Sequence, residues 1–208
     1  EFFKNLEGLE KKHYRYSQLN LYALINSGKI EEAIKFSKKL EKNKFNNFES
    51  DLIIAIYYLK KNQIKIANEY FTRIKNRKYQ TPLQNLLSES MFNWVNLNKE
   101  ESQAFSNFNF IDSKFRNIKK IQKVFYNCYT DKKNTSTSFE ELLSDEKTDF
   151  SRYYYFYVNF LNKKNNFELA NKVTKTSLKK YPRNLLLNQL QEDLNSNNKF
   201  KNFFNCEN

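Results

Sequence analysis

Apolar residues return along this chain at helical spacing, in paired segments separated by short polar breaks. Residues 19–40 (LNLYALINSGKIEEAIKFSKKL), 52–74 (LIIAIYYLKKNQIKIANEYFTRI) and 154–178 (YYFYVNFLNKKNNFELANKVTKTSL) share one layout: an apolar helix, a break, then a second helix. The second segments place Ile30, Ala33, Ile34 and Leu40, and then Ile64, Ala67, Phe71 and Ile74, on one face. That is the i, i+3, i+4, i+7 stripe of an amphipathic helix.

The breaks are alike too. Gly28, Asn62 and Asn165 each precede an alanine by five residues: Ala33, Ala67 and Ala170. From Ala33 to Ala67 is 67 − 33 = 34 residues, and from Ala67 to Ala170 is 103, three such steps plus one. Gly and Asn tolerate the left-handed conformation that closes a helix, which predicts that the first helix of each pair stops there. Lys60–Lys61 and Lys163–Lys164 sit just before two of these stops, where a cation complements the helix dipole. A small residue one turn into the second helix lets two helices approach to about 8–10 Å.

Weaker units lie between. Residues 82–97 read as a first helix, with Ala104, Phe108 and Ile111 on its partner. Residues 112–129 read as another, carrying Phe115, Ile118, Ile121, Val124 and Phe125. A polar loop over 130–138 then precedes a short helix at 139–143, and 185–194 opens a last unit. Residues 2–12 are predicted to pack as a helix on the first pair.

The pattern resembles the tetratricopeptide repeat, and the chain is similar to bacterial proteins of that family. The family motif has a small residue seven before the turn, an aromatic four before it, Ala five after and an aromatic nine after. The Asn62 unit carries Ala55, Tyr58, Ala67 and Phe71 at those places. The Asn165 unit matches at Ala170 and Pro182 but has Val158 and Leu161, and the Gly28 unit departs at Leu21, Leu24 and Ser37. The resemblance implies an all-α, right-handed superhelical solenoid of antiparallel helix pairs. It would form one domain over 1–208, with units near 13–45, 49–79, 82–111, 112–147, 150–182 and a partial 184–208. It also implies a concave face lined by first helices. Carried over, that face comprises Gln18, Tyr22, Asn26, Ile56, Asn93, Asn96, Arg152, Tyr155, Asn159 and Asn162. Ile25, Leu52, Leu59 and Glu89 lie on the same stripes. Gln18 and Tyr22 do not reproduce the basic clamp with which some members hold a peptide carboxylate.

Composition narrows the function. Two Gly and two Pro among 208 residues leave too few turn residues for sheets or phosphate-cradling loops. The sole histidine, His13, would have to serve any triad or metal site, so neither a catalytic residue, a cofactor nor a metal is expected. The carboxylates Glu140, Glu141, Asp145, Glu146 and Asp149 read as a solvated helix face. Cys128 and Cys206 read as ordinary thiols. The run Tyr153 to Tyr157 spans every direction of a helix and is expected to expose one or two tyrosines. The longest apolar run, residues 52–59, is far short of the about 20 residues a membrane span needs. The chain begins at Glu1 rather than Met, which points to a piece of a longer protein, soluble and with the cytoplasm favoured.

Net charge is +13, from 30 Lys and 6 Arg against 23 acids, alongside 31 Asn. Lys and Asn have AT-rich codons, so base composition explains this balance, and phosphate readers also lean on Arg. The expected function is therefore a non-catalytic scaffold that binds a peptide, a partner domain or a second copy of itself. The alternative is RNA binding, because residues 20–40 also resemble the pentatricopeptide repeat. A basic stripe along the first helices would favour RNA, and a face of Tyr, Leu and Asn would favour a protein partner.

Overall fold

The computed structural model describes residues 8–9, 13–97, 108–195 and 206. Among them there is no strand, and the fold is all-α. The helices are α1 (Tyr14–Asn26), α2 (Ile30–Lys42), α3 (Phe48–Lys60), α4 (Ile64–Lys75), α5 (Pro82–Val95), α6 (Arg116–Tyr129), α7 (Thr135–Leu143), α8 (Tyr153–Lys163), α9 (Phe167–Lys180) and α10 (Leu185–Asn195). Two 3-10 turns, Phe108–Phe110 and Ser113–Phe115, lie between α5 and α6. The chain forms two compact units, Glu1–Phe115 and Arg116–Asn208. Ala104 and most of 2–12 lie outside the described residues. No described helix is long and apolar enough to cross a membrane.

The turns repeat one hydrogen-bonding device. Gly28 (φ 72°), Asn62 (φ 57°) and Asn165 (φ 58°) adopt the left-handed conformation. In each case the next N–H reaches back to a carbonyl of the last helical turn: Lys29 to Leu24 (2.8 Å), Gln63 to Tyr58 (2.9 Å) and Asn166 to Leu161 (2.9 Å). This closure satisfies carbonyls that the helix end would leave orphaned. Lys44 (φ 62°) and Asp131 (φ 50°) close α2 and α6 in the same way, at positions where the sequence offers no Gly or Asn.

Helix starts are capped by side chains where the sequence supplies them. Asn47 Oδ1 accepts from the Ser50 N–H (2.8 Å), and Ser50 Oγ accepts from the Asn47 N–H (2.9 Å). Thr81 and Gln84 form the same reciprocal box ahead of Pro82. Such caps contribute about 1 kcal/mol each.

In the first unit each helix packs on the next in sequence, and α1 also lies against α3. In the second, α8 packs on α7, α9 and α10. Ala33, Ala67 and Ala170 are each fully buried. Each is the residue whose N–H makes the first bond of its helix, to Lys29, Gln63 and Asn166. One turn further in, Ser37, Phe71 and Thr174 are fully buried as well. The three pairs therefore share a register at the contact between their helices.

Three expectations need correction. Helix α7 begins at Thr135 rather than 139, because Thr135 Oγ1 donates to the Asn127 (2.9 Å) and Lys132 (2.7 Å) carbonyls and draws the supposed loop into a helical start. Cys128 and Cys206 are joined in a disulfide, with Cα atoms 5.4 Å apart, rather than standing as separate thiols. Both pack on the core of the second unit, a proximity that a separation of 78 residues hides in the sequence. Finally, no member of the run Tyr153–Tyr157 is freely exposed. Tyr157 is buried and the rest are half-buried, because α8 has neighbours on three sides.

Candidate interaction face

Helices α1 and α3 are the first helices of described pairs, α5 follows α4, and one carboxylate ties the N-terminal ends of the three together. Glu49 Oε1, in the first turn of α3, accepts from Gln18 Nε2 of α1 (2.9 Å) and from Gln84 Nε2 of α5 (3.2 Å). Gln18 also donates to the Tyr14 hydroxyl (3.3 Å). Burial, followed by the charge of Glu49, raises the Tyr14 pKa.

Beyond this bridge the face is apolar and open. Tyr22 is 68 % exposed and Ile56 45 % exposed, at places 56 − 22 = 34 residues apart on the adjacent α1 and α3. Leu19, Ile25 and, on α5, Leu83 are exposed as well. Asn26 is exposed, and Gln18, Leu52 and Leu59 are half-buried.

Charge is segregated between the two kinds of helix. Neither α1 nor α5 carries a lysine, and α3 carries one only at its last position, Lys60. Apart from the exposed Arg15 on α1 and Lys60 on α3, the helical cations of this unit are on the second helices: Lys35, Lys38, Lys39 and Lys42 on α2, and Lys65, Arg73 and Lys75 on α4. The second unit repeats this on α8, whose only lysine is the terminal Lys163, and on α9, with Lys172, Lys175, Lys179 and Lys180. Helix α6 is the exception, with Arg116, Lys119, Lys120 and Lys123, of which Lys120 pairs with Asp145 (2.6 Å). That pairing, a hydrogen bond from Lys120 first, lowers the Asp145 pKa.

Behind α3 lies a polar cluster that sequence reading missed. Asp51 is fully buried, and its carboxylate takes hydrogen bonds from Arg73 Nη2 (2.6 Å) and Arg77 Nη2 (2.6 Å), with Asn46 Nδ2 at 3.1 Å. Arg73 also donates to Glu41 (2.9 Å), and the Tyr70 hydroxyl donates to the other Glu41 oxygen (2.8 Å). Partial burial opposes the charge on Arg73, but its bonds to Glu41 and Asp51 outweigh that and raise its pKa. Two of the six arginines are thus engaged by a buried carboxylate. The available signal was an aspartate ahead of the apolar run 52–59, with Arg73 and Arg77 one helical turn apart. Lys75 similarly pairs with Glu89 of α5 (3.2 Å).

In the second unit the expected face residues are differently placed. Arg152 is exposed and Tyr155 half-buried, but Asn159 and Asn162 are buried, as is Asn93 on α5. The reason is packing: α8 has α7, α9 and α10 around it, and α5 is covered by α4 and the turn at Phe108–Phe110. Asn159 spends its Nδ2 on the Tyr155 carbonyl (2.8 Å), and both polar atoms of Asn93 and Asn162 are buried without a hydrogen-bond partner. Asn96 is half-buried and donates to Asn68 (2.6 Å). The residues that the structure brings onto one open face are therefore Gln18, Tyr22, Asn26 and Ile56.

The acidic residues of α7 and the loop after it are separately engaged. Glu140 accepts from the Tyr157 hydroxyl (2.7 Å), and Asp149 accepts from the Ser151 N–H (2.8 Å). No group of three or more His, Cys, Asp or Glu suited to a metal occurs among the described residues. No protein-family model matches the chain, and neither a curated protein nor a solved structure shows significant similarity to it.

Proposed function

We propose that the chain is a tetratricopeptide-like superhelix of helix pairs and a non-catalytic scaffold, which binds a peptide or partner domain on its first helices. The observation that carries this reading is the segregation of charge. Tyr22, Ile25 and Ile56 stand open on first helices that are almost free of lysine, in a chain of net charge +13. Exposed aromatic and aliphatic side chains grouped on one face favour association with protein. An RNA-reading array would place its cations along that face to neutralise phosphates. Here Arg73 and Arg77 neutralise Asp51 instead, and in unit 1 the helical lysines other than Lys60 sit on the second helices, with Arg15 the one cation of α1.

The test is affinity capture with the full chain, run beside a Tyr22→Ala/Ile56→Ser variant. Both positions are solvent-exposed, so the variant is expected to melt as the parent does. Specific partners should be retained by the parent and lost by the variant. Self-association would register as a mass change by sedimentation that the variant abolishes. The proposal fails if the variant captures the same proteins, or if single-stranded RNA binds with a steep loss of affinity on added salt while no protein partner is retained.

A further inference from the structure

The disulfide of unit 2 spans that unit from its first helix to the chain beyond its last. We propose that the Cys128–Cys206 bridge is a redox-dependent lock on unit 2, formed and opened by thiol–disulfide exchange through Cys206.

The chain has two cysteines in 208 residues, and unit 1 has none. The two are paired across 78 residues, with Cα atoms 5.4 Å apart, inside the range that a bridge needs. Cys128 is the next-to-last residue of α6, and Cys206 lies 206 − 195 = 11 positions past the end of α10. Helices α7 to α10 therefore all fall within the covalent loop. Noncovalent packing joins neighbours in this series: α6 to α7, α7 to α8, and both α8 and α9 to α10. The bridge adds a tie between its two ends. Cross-linking residues far apart in sequence restricts the unfolded chain most, so this bridge favours the folded unit more than a short loop would.

The two sulfurs stand in different surroundings. Cys128 is 3 % exposed and lies in the core with Val124, Phe139, Leu142 and Leu187. Cys206 is half-buried against the same core. A thiolate arriving from solvent therefore meets Cys206. The incoming sulfur bonds to Cys206, the Cys128–Cys206 bond breaks, and Cys128 leaves with the bonding pair and takes up a proton. A second thiol then attacks the mixed disulfide, which frees Cys206 and yields the small-molecule disulfide. Oxidation by glutathione disulfide runs the same two steps backwards: Cys206 takes up one glutathione, and Cys128 displaces it. An ionised sulfur is costly among apolar side chains, so Cys128 leaves reluctantly and opening is slow. The lock is thus closed in an oxidising compartment and opens slowly where thiols prevail.

The full chain, oxidised with glutathione disulfide, tests this. In denaturant it should titrate no thiol before reduction and two after, with the mass of a monomer. Dithiothreitol should lower the unit 2 transition, followed by circular dichroism, by about 10 °C or more. Trp94, the sole tryptophan, lies on α5 of the cysteine-free unit, and its fluorescence transition should move much less. The Cys206→Ser variant should melt like the reduced parent, with or without dithiothreitol. Partial reduction by glutathione should leave the trapped adduct on Cys206 rather than Cys128. Two free thiols in the oxidised sample would overturn the proposal. So would equal melting of the oxidised and reduced parent, a comparison that needs no variant, an equal fall at Trp94, or an adduct on Cys128.

Discussion

Asp51→Ala is the perturbation whose cost the structure defines most fully. The carboxylate is completely buried and engages both Arg73 and Arg77 at 2.6 Å. After truncation Arg73 keeps Glu41 at 2.9 Å, but Arg77 loses the anion it faces and keeps only the Asn46 carbonyl at 3.3 Å. Breaking one side of a buried pair costs about 3–5 kcal/mol, chiefly through the charge left uncompensated. The Arg77 side chain is 27 % exposed and that of Arg73 40 %, so water reaches both and the cost falls to the lower end, about 3 kcal/mol. For a unit of about 100 residues that lowers the melting temperature by about 12–24 °C. Thermal and urea unfolding followed by circular dichroism read this directly. The decisive control is Asp51→Leu with Arg73→Met and Arg77→Met, which removes all three charges. It should recover most of the loss, since apolar replacement of a complete buried ion cluster is often neutral or better. A melting temperature within about 2 °C of the parent for Asp51→Ala, on the same scaling, would refute the reasoning. So would a triple variant no better than the single one.

Two further outcomes follow from packing and burial. Ala67→Trp puts a large ring where Phe48, Ala55, Phe71 and Ile74 close on a fully buried methyl. It should cost about 1–3 kcal/mol or more, read as a lower urea midpoint at unchanged slope, and an unaltered midpoint would mean that no tight helix contact exists there. Tyr157 is buried beside Phe139, and burial, together with its bond to Glu140, pushes its phenol up to about 12 against the opposing effect of Ser136. A raised value in the folded state means that this contribution to stability is complete below the free phenol value of about 10. It is then lost as the pH climbs from there to about 12. Melting temperatures should fall over that alkaline window, and the fall should be shallower in Tyr157→Phe; equal slopes would contradict the assignment.

The elements legible in the sequence were those whose signals are local. Periodicity located α1 to α5, α9 and α10 by their apolar stripes, and α8 by an apolar segment whose residues 157–162 are all buried. Gly28, Asn62 and Asn165 marked the closures because their backbone conformation restricts residue choice. Lys44 adopts the same conformation against its preference, and Asp131 is a weaker signal for it than Gly or Asn, so those closures left no mark. The start of α7 was misread because Thr135 and Ser136 look like loop residues until Thr135 finds the Asn127 and Lys132 carbonyls. Of the residues expected on the face, Tyr22 and Ile56 are exposed, where a first helix has an open side. Asn93, Asn159 and Asn162 are buried instead, and their burial depends on how many neighbours α5 and α8 collect, a property of the assembled unit.

Equivalent places in the first two helix pairs carry different chemistry. Counting by 34, Asp51 occupies the place that Ser17 holds in α1, and both are buried. Ser17 Oγ has no hydrogen-bond partner, whereas Asp51 is served by Arg73 on the second helix of its own pair. Lys39 stands where Arg73 would be one unit earlier, and Ser17 offers it no charge. The small or apolar contacts at Ala33, Ala67 and Ala170 are enough to seat a helix pair, so the neighbouring interior place is free to be a hydroxyl in one unit and an ion cluster in the next. The same freedom applies on the open side, where Arg15 and Glu49 hold equivalent places with opposite charge. Glu49 in turn is held by one amide from each flanking helix, Gln18 of α1 and Gln84 of α5.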